Sequence, residues 1–151
     1  MLYSVYTDGS VDEAASKIAS TFLIYTDDSF IALDSALFKG KFSSIAETLA
    51  IGVAAQYILR NLDITKDGTV VFHTDSRSSK IFLKNHLDEE EDMRTPNDQR
   101  VKIVVDTMKL LTSKCNVEFK KVKAHEVSLS GNNVVDRIAK LSLMDSYKCL
   151  Q

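Results

Sequence analysis

Three short runs of apolar and β-branched residues open the chain and predict three strands. They cover residues 2–6, 21–25 and 30–37, and each is bounded by turn-forming residues. Asp8-Gly9 follows the first run and has the form of a tight turn, so we expect Asp8 at the end of the first strand. Asp27, Asp28 and Ser29 provide the turn between the second and third runs. The pattern predicts an N-terminal meander of three strands.

The apolar period changes from that of a strand to that of a helix near residue 44. Apolar side chains then recur at helical spacing as far as Asn61, at Ile45, Leu49 and Val53. Ser44 and Glu47 have the form of a capping box, in which each side chain bonds the backbone of the other residue. The sequence therefore predicts a first helix that begins near Ser44.

The rest of the chain alternates between strand-like and helical segments. We predict strands over residues 69–74 and 117–122, and helices over residues 78–87, 100–112 and 131–147. The alternation slips at Lys120 and Lys121, which indicates a bulge or a solvent-facing edge in the last strand. Three strands followed by alternating strands and helices are typical of a mixed α/β sheet covered by helices.

Length and composition fit one domain. The chain has 151 residues, of which 44% are hydrophobic and 26% are charged, so we expect a single domain over residues 1–151. No apolar stretch approaches the roughly 18 residues of a membrane span, and the N-terminus lacks the pattern of a secretory leader. Cys115 and Cys149 form no CxxC or Cys/His motif. We therefore expect a reducing, cytoplasmic setting and no membrane association.

Charge is distributed unevenly, although the net charge is only -2. Acidic residues concentrate at residues 88–92. Lysines are frequent in the last third of the chain, at Lys109, Lys114, Lys120, Lys121 and Lys123. Each run taken alone is typical of a solvated surface. The net charge by itself does not indicate a nucleic-acid-binding protein.

Four acids lie where predicted strands end or helices begin, namely Asp8, Glu47, Asp75 and Asp136. Each has a structural explanation. Asp8 suits a hairpin turn, and Glu47 suits the capping box. Asp75 suits a helix cap, and Asp136 suits an ion pair with Lys140 four residues further on. In open α/β sheets, however, functional groups collect outside the strand ends, so we expect the four acids to converge.

The joint placement of these acids indicates metal binding, because converging carboxylates repel one another unless cations neutralise them. Oxygen ligands suit Mg²⁺ or Mn²⁺. Two such ions about 3.5–4 Å apart are a recurring device for attack on phosphodiesters. The residues therefore support metal-dependent hydrolysis of a phosphodiester as a hypothesis.

Five short segments, taken in order, resemble the motif set of type-one ribonuclease H. They are YTDGS at residues 6–10, AE at 46–47, TDS at 74–76, VKAH at 122–125 and GNNVVD at 131–136. The resemblance runs from Tyr3 to about Leu143. It implies a ribonuclease H-like α/β fold, with a five-stranded mixed sheet whose first three strands are antiparallel and whose faces are flanked by helices.

The resemblance also implies an endonuclease that cuts the RNA strand of RNA/DNA hybrids and leaves 5′-phosphate and 3′-hydroxyl ends. Two Mg²⁺ ions, with Mn²⁺ as a substitute, would be bound by Asp8, Glu47, Asp75 and Asp136. Asp8 would bridge both ions, one activating the attacking water and the other stabilising the leaving 3′-oxygen. His125 would transfer protons or assist product release in a supporting role.

Several residues match positions at which the family contacts its substrate. They are Gly9, Ser10, Ser43, Ser44, Ser76, Arg77 and Asn132. Gly9 and Ser10 would bring backbone groups to the 2′-hydroxyls that distinguish RNA from DNA. Ser43 and Ser44 stand where many relatives carry asparagines, and Arg77 stands where a glutamine is frequent.

The chain departs from many bacterial relatives between the second predicted helix and the last strand. Those relatives insert a basic, tryptophan-containing protrusion that grips the DNA strand, whereas residues 88–96 here are mainly acidic and the chain has no Trp. An acidic loop repels phosphates, so we expect weak, salt-sensitive binding of the hybrid. Binding would rely on Lys120, Lys121 and Lys123, or on an accessory nucleic-acid-binding protein or domain. We expect the chain itself to be a monomer.

Other functions fit parts of the pattern. Integrases, resolvases and exonucleases share this fold and use acidic clusters, although the segment from His125 to Asp136 favours ribonuclease H. A non-catalytic module that binds RNA or hybrids is favoured by the missing basic protrusion and disfavoured by the presence of all four acids. A detached domain of a reverse transcriptase would carry the same motifs.

Overall fold

The computed structural model describes residues 1–27, 29–74, 98–121 and 131–149, with residues 132 and 145–149 described by their backbone alone. Within these ranges the chain forms one five-stranded sheet and three helices. The predicted helix over residues 78–87 and the acidic run at residues 88–92 lie outside the described residues.

The first three strands form the predicted meander. Strand β1 spans Leu2–Asp12, β2 spans Lys17–Thr26 and β3 spans Ser29–Lys39. Each strand pairs antiparallel with the next. All three are longer than the sequence pattern predicts, because the pairing continues through polar residues and through apolar ones such as Ile18 and Phe38 that lie beyond the predicted runs.

Strand β1 does not end at Asp8, so the prediction of a turn there is wrong. Its pairing with β2 is unbroken from Tyr3 to Asp12, and Asp8 and Gly9 lie inside the strand. The turn follows instead at residues 13–16, where Asp12 Oδ1 accepts a hydrogen bond of 3.1 Å from the Ala15 N–H. Asp-Gly is a turn signal only when the glycine needs an unusual backbone conformation, and no glycine here has a positive φ in the described residues.

Two parallel strands complete the sheet on the other side of β1. Strand β4 spans Thr69–Thr74, as predicted, and β5 spans Asn116–Lys121. The strand order is β3-β2-β1-β4-β5, so the predicted mixed sheet with three antiparallel strands is confirmed. Strand β5 lies at an edge, as predicted, but its register with β4 runs without a shift to Lys121, so the described pairs contain no bulge.

Three helices flank the sheet in the described part of the chain. They are α1 over Ser43–Asn61, α2 over Gln99–Lys114 and α3 over Gly131–Cys149. The predicted capping box is wrong, because α1 begins one residue early and Phe42, rather than Ser44, occupies the N-cap. None of these helices is long and apolar enough to cross a membrane.

The helices divide between the two faces of the sheet. Side chains alternate along a strand, and Tyr3 and Val5 of β1 belong to the main core with residues of α1 and α2. Tyr6 points the other way, towards the first residue of α3. Helix α3 packs Ala139 and Leu143 against Ala19 of β2 on that same face. The sheet is therefore covered by α1 and α2 on one face and by α3 on the other.

Helices α1 and α2 touch at a glycine. A Cβ added at Gly52 would lie 2.5 Å from Cγ2 of Val104, closer than carbon atoms approach without a shift of the backbone. Both residues are buried. The absence of a side chain at Gly52 thus sets the distance between the two helices.

We predict that Gly52→Ala lowers the free energy of unfolding by about 1–3 kcal/mol, because the new methyl group overpacks the contact between α1 and α2. Adding Val104→Ala should recover part of this loss, since it removes the atoms that the methyl group meets. Urea denaturation of the two single variants and the double variant measures the coupling. Additive losses would show that the two residues do not share this contact.

Candidate active site

Asp8 is a carboxylate held almost completely inside the protein. Its relative exposure is 4%, and its neighbours Thr7 and Thr21 are fully buried. The Gly9 N–H donates a hydrogen bond of 2.9 Å to Asp8 Oδ1. An ionised carboxylate at such a position is stable only when hydrogen bonds or cations compensate for the loss of water. The environment of Asp8 is therefore suited to a bound cation.

Gly9 lets α1 approach β1 closely. A Cβ added at Gly9 would lie 2.5 Å from the Glu47 nitrogen and 2.6 Å from the Ala46 Cβ. Ser20, which pairs with Gly9 across β1 and β2, donates a buried hydrogen bond of 2.7 Å from its hydroxyl to the Ala46 carbonyl. These two features fix the backbone of Glu47 beside the Asp8-Gly9 segment.

Helix α3 packs against β1 and β2, and ideal geometry predicts Asp136 near the level of Asp8. Gly131 lies against the Tyr6 ring, so that an added Cβ would be 2.5 Å from Tyr6 Cγ. Nine residues later, Lys140 lines the same surface depression as Ser10. Nine residues of helix and four residues of strand both advance about 13–14 Å. Asp136, about 7 Å along α3 from Gly131, therefore lies at the height of Asp8, about 7 Å along β1 from Tyr6.

Asp136 also makes the ion pair that the sequence predicts. Lys140 Nζ lies 3.1 Å from Asp136 Oδ2, with the lysine side chain 59% exposed and the aspartate side chain 28% exposed. Pairs of this kind contribute only about 0.3–0.5 kcal/mol to stability. The predicted ion pair of Asp136 with Lys140 is confirmed. It is weak enough for another cation to compete with Lys140 for the Asp136 carboxylate.

The pairing of β1 with β4 ends at Thr7 and Thr74 in the described residues. Asp75, the third predicted ligand along the chain, follows Thr74 directly in sequence and lies outside the described residues, as do Ser76, Arg77 and His125. Asn132 is described only as a backbone position in α3. Their predicted roles stay predictions.

No three His, Cys, Asp or Glu side chains come close enough to hold a metal ion within residues 1–27, 29–74, 98–121 and 131–149. The predicted ligand set includes Asp75, which these ranges do not contain. The structure thus brings the backbone of Glu47 beside the Asp8-Gly9 segment, and ideal helix geometry predicts Asp136 near the same height. It leaves the complete set of four acids as a prediction.

The predicted substrate residues lie around this point. Ser43 and Ser44 are exposed at the start of α1, and Ser10 is half-buried in β1. Gly9 is half-buried as well, but the space that a side chain would occupy is filled by α1. Its main observed contribution is therefore the spacing between β1 and α1.

Ser20 and Tyr6 have positioning roles that the sequence did not predict, although Tyr6 begins the YTDGS motif. The hydrogen bond of Ser20 reaches a carbonyl 26 residues away. The Tyr6 ring stacks on His73 of β4, with ring centroids 4.5 Å apart and planes 11° from parallel. Burial, assisted by the charge of Lys120, holds the pKa of His73 below its usual value. The neutral imidazole of His73 therefore stacks on the Tyr6 ring, and Gly131, the first residue of α3, packs against that ring.

The family model for RNase H matches residues 2–143 of this chain. The match covers nearly the whole sequence and every motif on which the resemblance rests. The chain therefore belongs to the ribonuclease H family, a class of nucleases. Membership supports ribonuclease H activity on RNA/DNA hybrids and the use of divalent metal ions.

A solved structure shares the fold. RNase H1 from the halophilic archaeon Halobacterium salinarum is 18% identical to this chain, with a TM-score of 0.70. The alignment covers 96% of this chain and 99% of the archaeal one. At this identity the likeness establishes the fold alone. Comparison with curated proteins finds no match.

On the expectation that Glu47 is a metal ligand, we predict that Gly9→Ala weakens the binding of a divalent ion, measured with Mg²⁺, about tenfold, because the added methyl group pushes α1, and with it Glu47, away from β1. Residues that orient metal ligands typically change metal affinity by about 10–100-fold. The variant should also lose about 1–3 kcal/mol of stability through overpacking. Calorimetric titration of Mg²⁺ in the absence of substrate measures the first effect, and urea denaturation measures the second.

Gly52→Ala is the matched control for this prediction, since it overpacks the same helix on its α2 side. It should lose comparable stability and keep the Mg²⁺ affinity of the wild type. Equal loss of Mg²⁺ affinity in both variants would show that general loosening of α1, and not the contact at Gly9, determines metal binding.

Proposed function

We propose that this protein is an endonuclease that hydrolyses the RNA strand of RNA/DNA hybrids by a two-metal mechanism, giving 5′-phosphate and 3′-hydroxyl ends. The observation that carries the proposal is the match of the ribonuclease H family model over residues 2–143. The geometry around Asp8 supports it, since this buried carboxylate lies next to Gly9, against which the backbone of Glu47 packs, and ideal helix rise predicts Asp136 near the same level of the sheet.

Asp8, Glu47, Asp75 and Asp136 would hold the two ions. All their ligand atoms are carboxylate oxygens, which suit Mg²⁺, with Mn²⁺ as a substitute. When bound, the ions would supply activation of the attacking water and stabilisation of the leaving 3′-oxygen. The burial of Asp8 supports this assignment, because a cation compensates for the water that this carboxylate has lost.

The remaining residues would bind and orient the substrate. Ser10, Ser43 and Ser44 present hydroxyl groups on the two elements that meet at Gly9, so ribose 2′-hydroxyls and base edges would be within their reach. We assign the same role to Ser76, Arg77 and Asn132 from the family pattern. His125 would carry a proton to or from the reacting groups, or assist product release.

We predict that Asp8→Asn and Asp75→Asn each reduce cleavage of the hybrid by at least about 10²–10³-fold, since each removes a charge that the transition state needs. Neither should lower the free energy of unfolding, because loss of one charge relieves repulsion among the carboxylates. The measurement uses a hybrid labelled on its RNA strand, with and without Mg²⁺. Single-stranded RNA, duplex RNA and duplex DNA serve as comparison substrates.

Asp34→Asn is the matched control, because Asp34 is an exposed acid on β3 whose carboxylate bonds only locally, to the N–H of Ser35, in the contacts described. It should cleave at the wild-type rate. Near-normal cleavage by Asp8→Asn would mean that the reaction centre lies elsewhere.

We predict that Lys140→Gln strengthens Mg²⁺ binding about twofold. The lysine competes for Asp136 through an ion pair worth about 0.3–0.5 kcal/mol, and its removal frees that energy for the metal ion. Calorimetric titration compares it with Lys109→Gln, which removes the same charge from an exposed site on α2. Weaker Mg²⁺ binding by Lys140→Gln than by Lys109→Gln would contradict the proposed competition.

A further inference from the structure

The connection between β3 and α1 carries an exposed group of cationic, aromatic and hydroxyl side chains. We call residues 39–44 the connecting segment. Its exposed side chains are Lys39, Lys41, Phe42, Ser43 and Ser44. Phe42 is 70% exposed. Basic side chains interleaved with an aromatic ring are the combination that binds nucleic-acid backbones.

The protein fixes the backbone of this segment. The Gly40 N–H donates a hydrogen bond of 3.0 Å to the Ser16 carbonyl, and Arg100 Nη1 donates one of 2.6 Å to the Lys39 carbonyl. A side chain at Gly40 would overlap Ile18, which is fully buried. A surface held in place in this way loses little conformational entropy when a ligand binds.

Arg100 is itself anchored. Its guanidinium forms an ion pair of 2.7 Å with Asp98, the N-cap of α2. The hydrogen bond from Arg100 lowers the pKa of the Asp98 carboxyl, so the pair stays ionised at neutral pH. Helix α2 therefore supports the backbone of the connecting segment through Arg100, while the side chains of Lys39 and Lys41 are exposed.

The register of the sheet concentrates positive charge at this corner. Lys39 lies directly opposite Lys17 in the pairing of β2 with β3. Like charges at opposite positions destabilise a sheet. Asp12 lies opposite Lys17 on its other side, whereas Lys39 belongs to β3, the edge strand of the sheet. The register therefore places the Lys39 side chain beside a second lysine at the exposed edge of the sheet.

Phe42 is an unusual residue for its position. N-caps are generally Ser, Thr, Asp or Asn, whose side chains bond the first turn of the helix. Phe42 makes no such bond, and most of its ring faces solvent. Neither capping nor packing in the described residues explains the ring. Aromatic rings exposed beside cationic groups pack against the sugars and bases of nucleic acids.

The segment lies close to the candidate active site. Five residues separate Phe42 from Glu47, or about 7–8 Å of helix rise. A nucleic-acid duplex advances about 3.4 Å for each base pair. The connecting segment is therefore about two base pairs from the predicted point of cleavage, near enough for one substrate to touch both.

We propose that Lys39, Lys41 and Phe42 bind the sugar–phosphate backbone of the hybrid and take the place of the basic protrusion that this chain lacks. The proposal rests on the proposed function. The two lysines contact phosphates as point charges, and the Phe42 ring packs on a neighbouring sugar or base. Lys120 and Lys121 lie on β5, at the opposite edge of the sheet, and make at most a secondary contribution.

The test measures binding of an RNA/DNA hybrid by fluorescence anisotropy, in Mg²⁺ and at several salt concentrations. All variants carry Asp75→Asn, with which cleavage is expected to be suppressed. A double variant, Lys39→Gln with Lys41→Gln, should bind at least about tenfold more weakly at 0.1 M salt. Its plot of log K against log salt should be shallower by about 1.8, which corresponds to two lost phosphate contacts. Phe42→Ala should weaken binding about five- to hundredfold with an unchanged slope.

Two further double variants serve as controls with the same loss of charge. Lys66→Gln with Lys109→Gln removes exposed lysines far from the segment and should bind like the parent. Lys120→Gln with Lys121→Gln tests the opposite edge. The proposal is wrong if the slope of the Lys39/Lys41 variant equals that of the Lys66/Lys109 variant, if only the Lys120/Lys121 variant loses slope, or if the parent binds no hybrid at 50 mM salt.

Failure of this proposal is distinguishable from failure of the proposed function. If the wild type cleaves the hybrid and the Lys39/Lys41 variant has an unchanged salt slope, the proposed nuclease activity is supported and the proposed binding surface is wrong. If the wild type does not cleave the hybrid but the Lys39/Lys41 variant shows the expected change in salt slope, the binding surface is supported and the proposed nuclease activity is wrong. Thermal unfolding of every variant checks that these exposed substitutions leave the fold intact.

Discussion

The contact between Gly9 and α1 is the constraint on which the candidate site depends. Consecutive residues of a strand point to opposite faces, so Asp8 faces α3 while Gly9 faces α1. Only a residue without a side chain lets Ala46 and Glu47 come this close to β1. The Ser20 hydroxyl then holds the helix in place through the Ala46 carbonyl. The position of the Glu47 backbone is therefore set by the absence of a Cβ at Gly9 and by the buried hydrogen bond from Ser20 to Ala46.

This arrangement raises the question of how acids from opposite faces of a sheet can meet. The described pairing of β1 with β4 ends at Thr7 and Thr74, one residue before Asp8. Beyond that point no described strand separates the two faces on the β4 side of β1. Groups carried by α1 and by α3 can then approach the same space beside Asp8. The end of a parallel strand is the usual place for a functional site in α/β sheets for this reason.

The sequence predicted the elements well where the pattern was local. The run of β-branched residues in β4 gave its bounds correctly, and α1 begins within one residue of the predicted start. The order of strands and helices, and hence the mixed sheet, followed from these local patterns. The same rules failed at Asp8-Gly9, because a turn signal and a glycine required by packing look alike until the neighbouring helix is known.

The site was predictable in part only. The motifs, and the predicted positions at strand and helix ends, led to the expectation that Asp8, Glu47 and Asp136 converge, and that expectation stays a prediction. The positioning contacts were not predictable, since Ser20 acts on a carbonyl 26 residues away and Tyr6, although part of a motif, acts through a ring contact with His73 on a neighbouring strand. Such contacts depend on register and on the approach of helices, which a single sequence does not specify.

The proposed substrate surface illustrates why the distribution of charge matters more than its total. The chain has a net charge of -2, yet strand register places Lys39 opposite Lys17, and the chain then continues through Lys41 and Phe42 into the helix of Glu47. Screening in physiological salt limits the reach of a charge to about 8 Å. On the proposed function, a phosphate near Glu47 would therefore sense the lysines of this corner more strongly than acids elsewhere on the surface, so total charge alone does not argue against a polyanionic substrate.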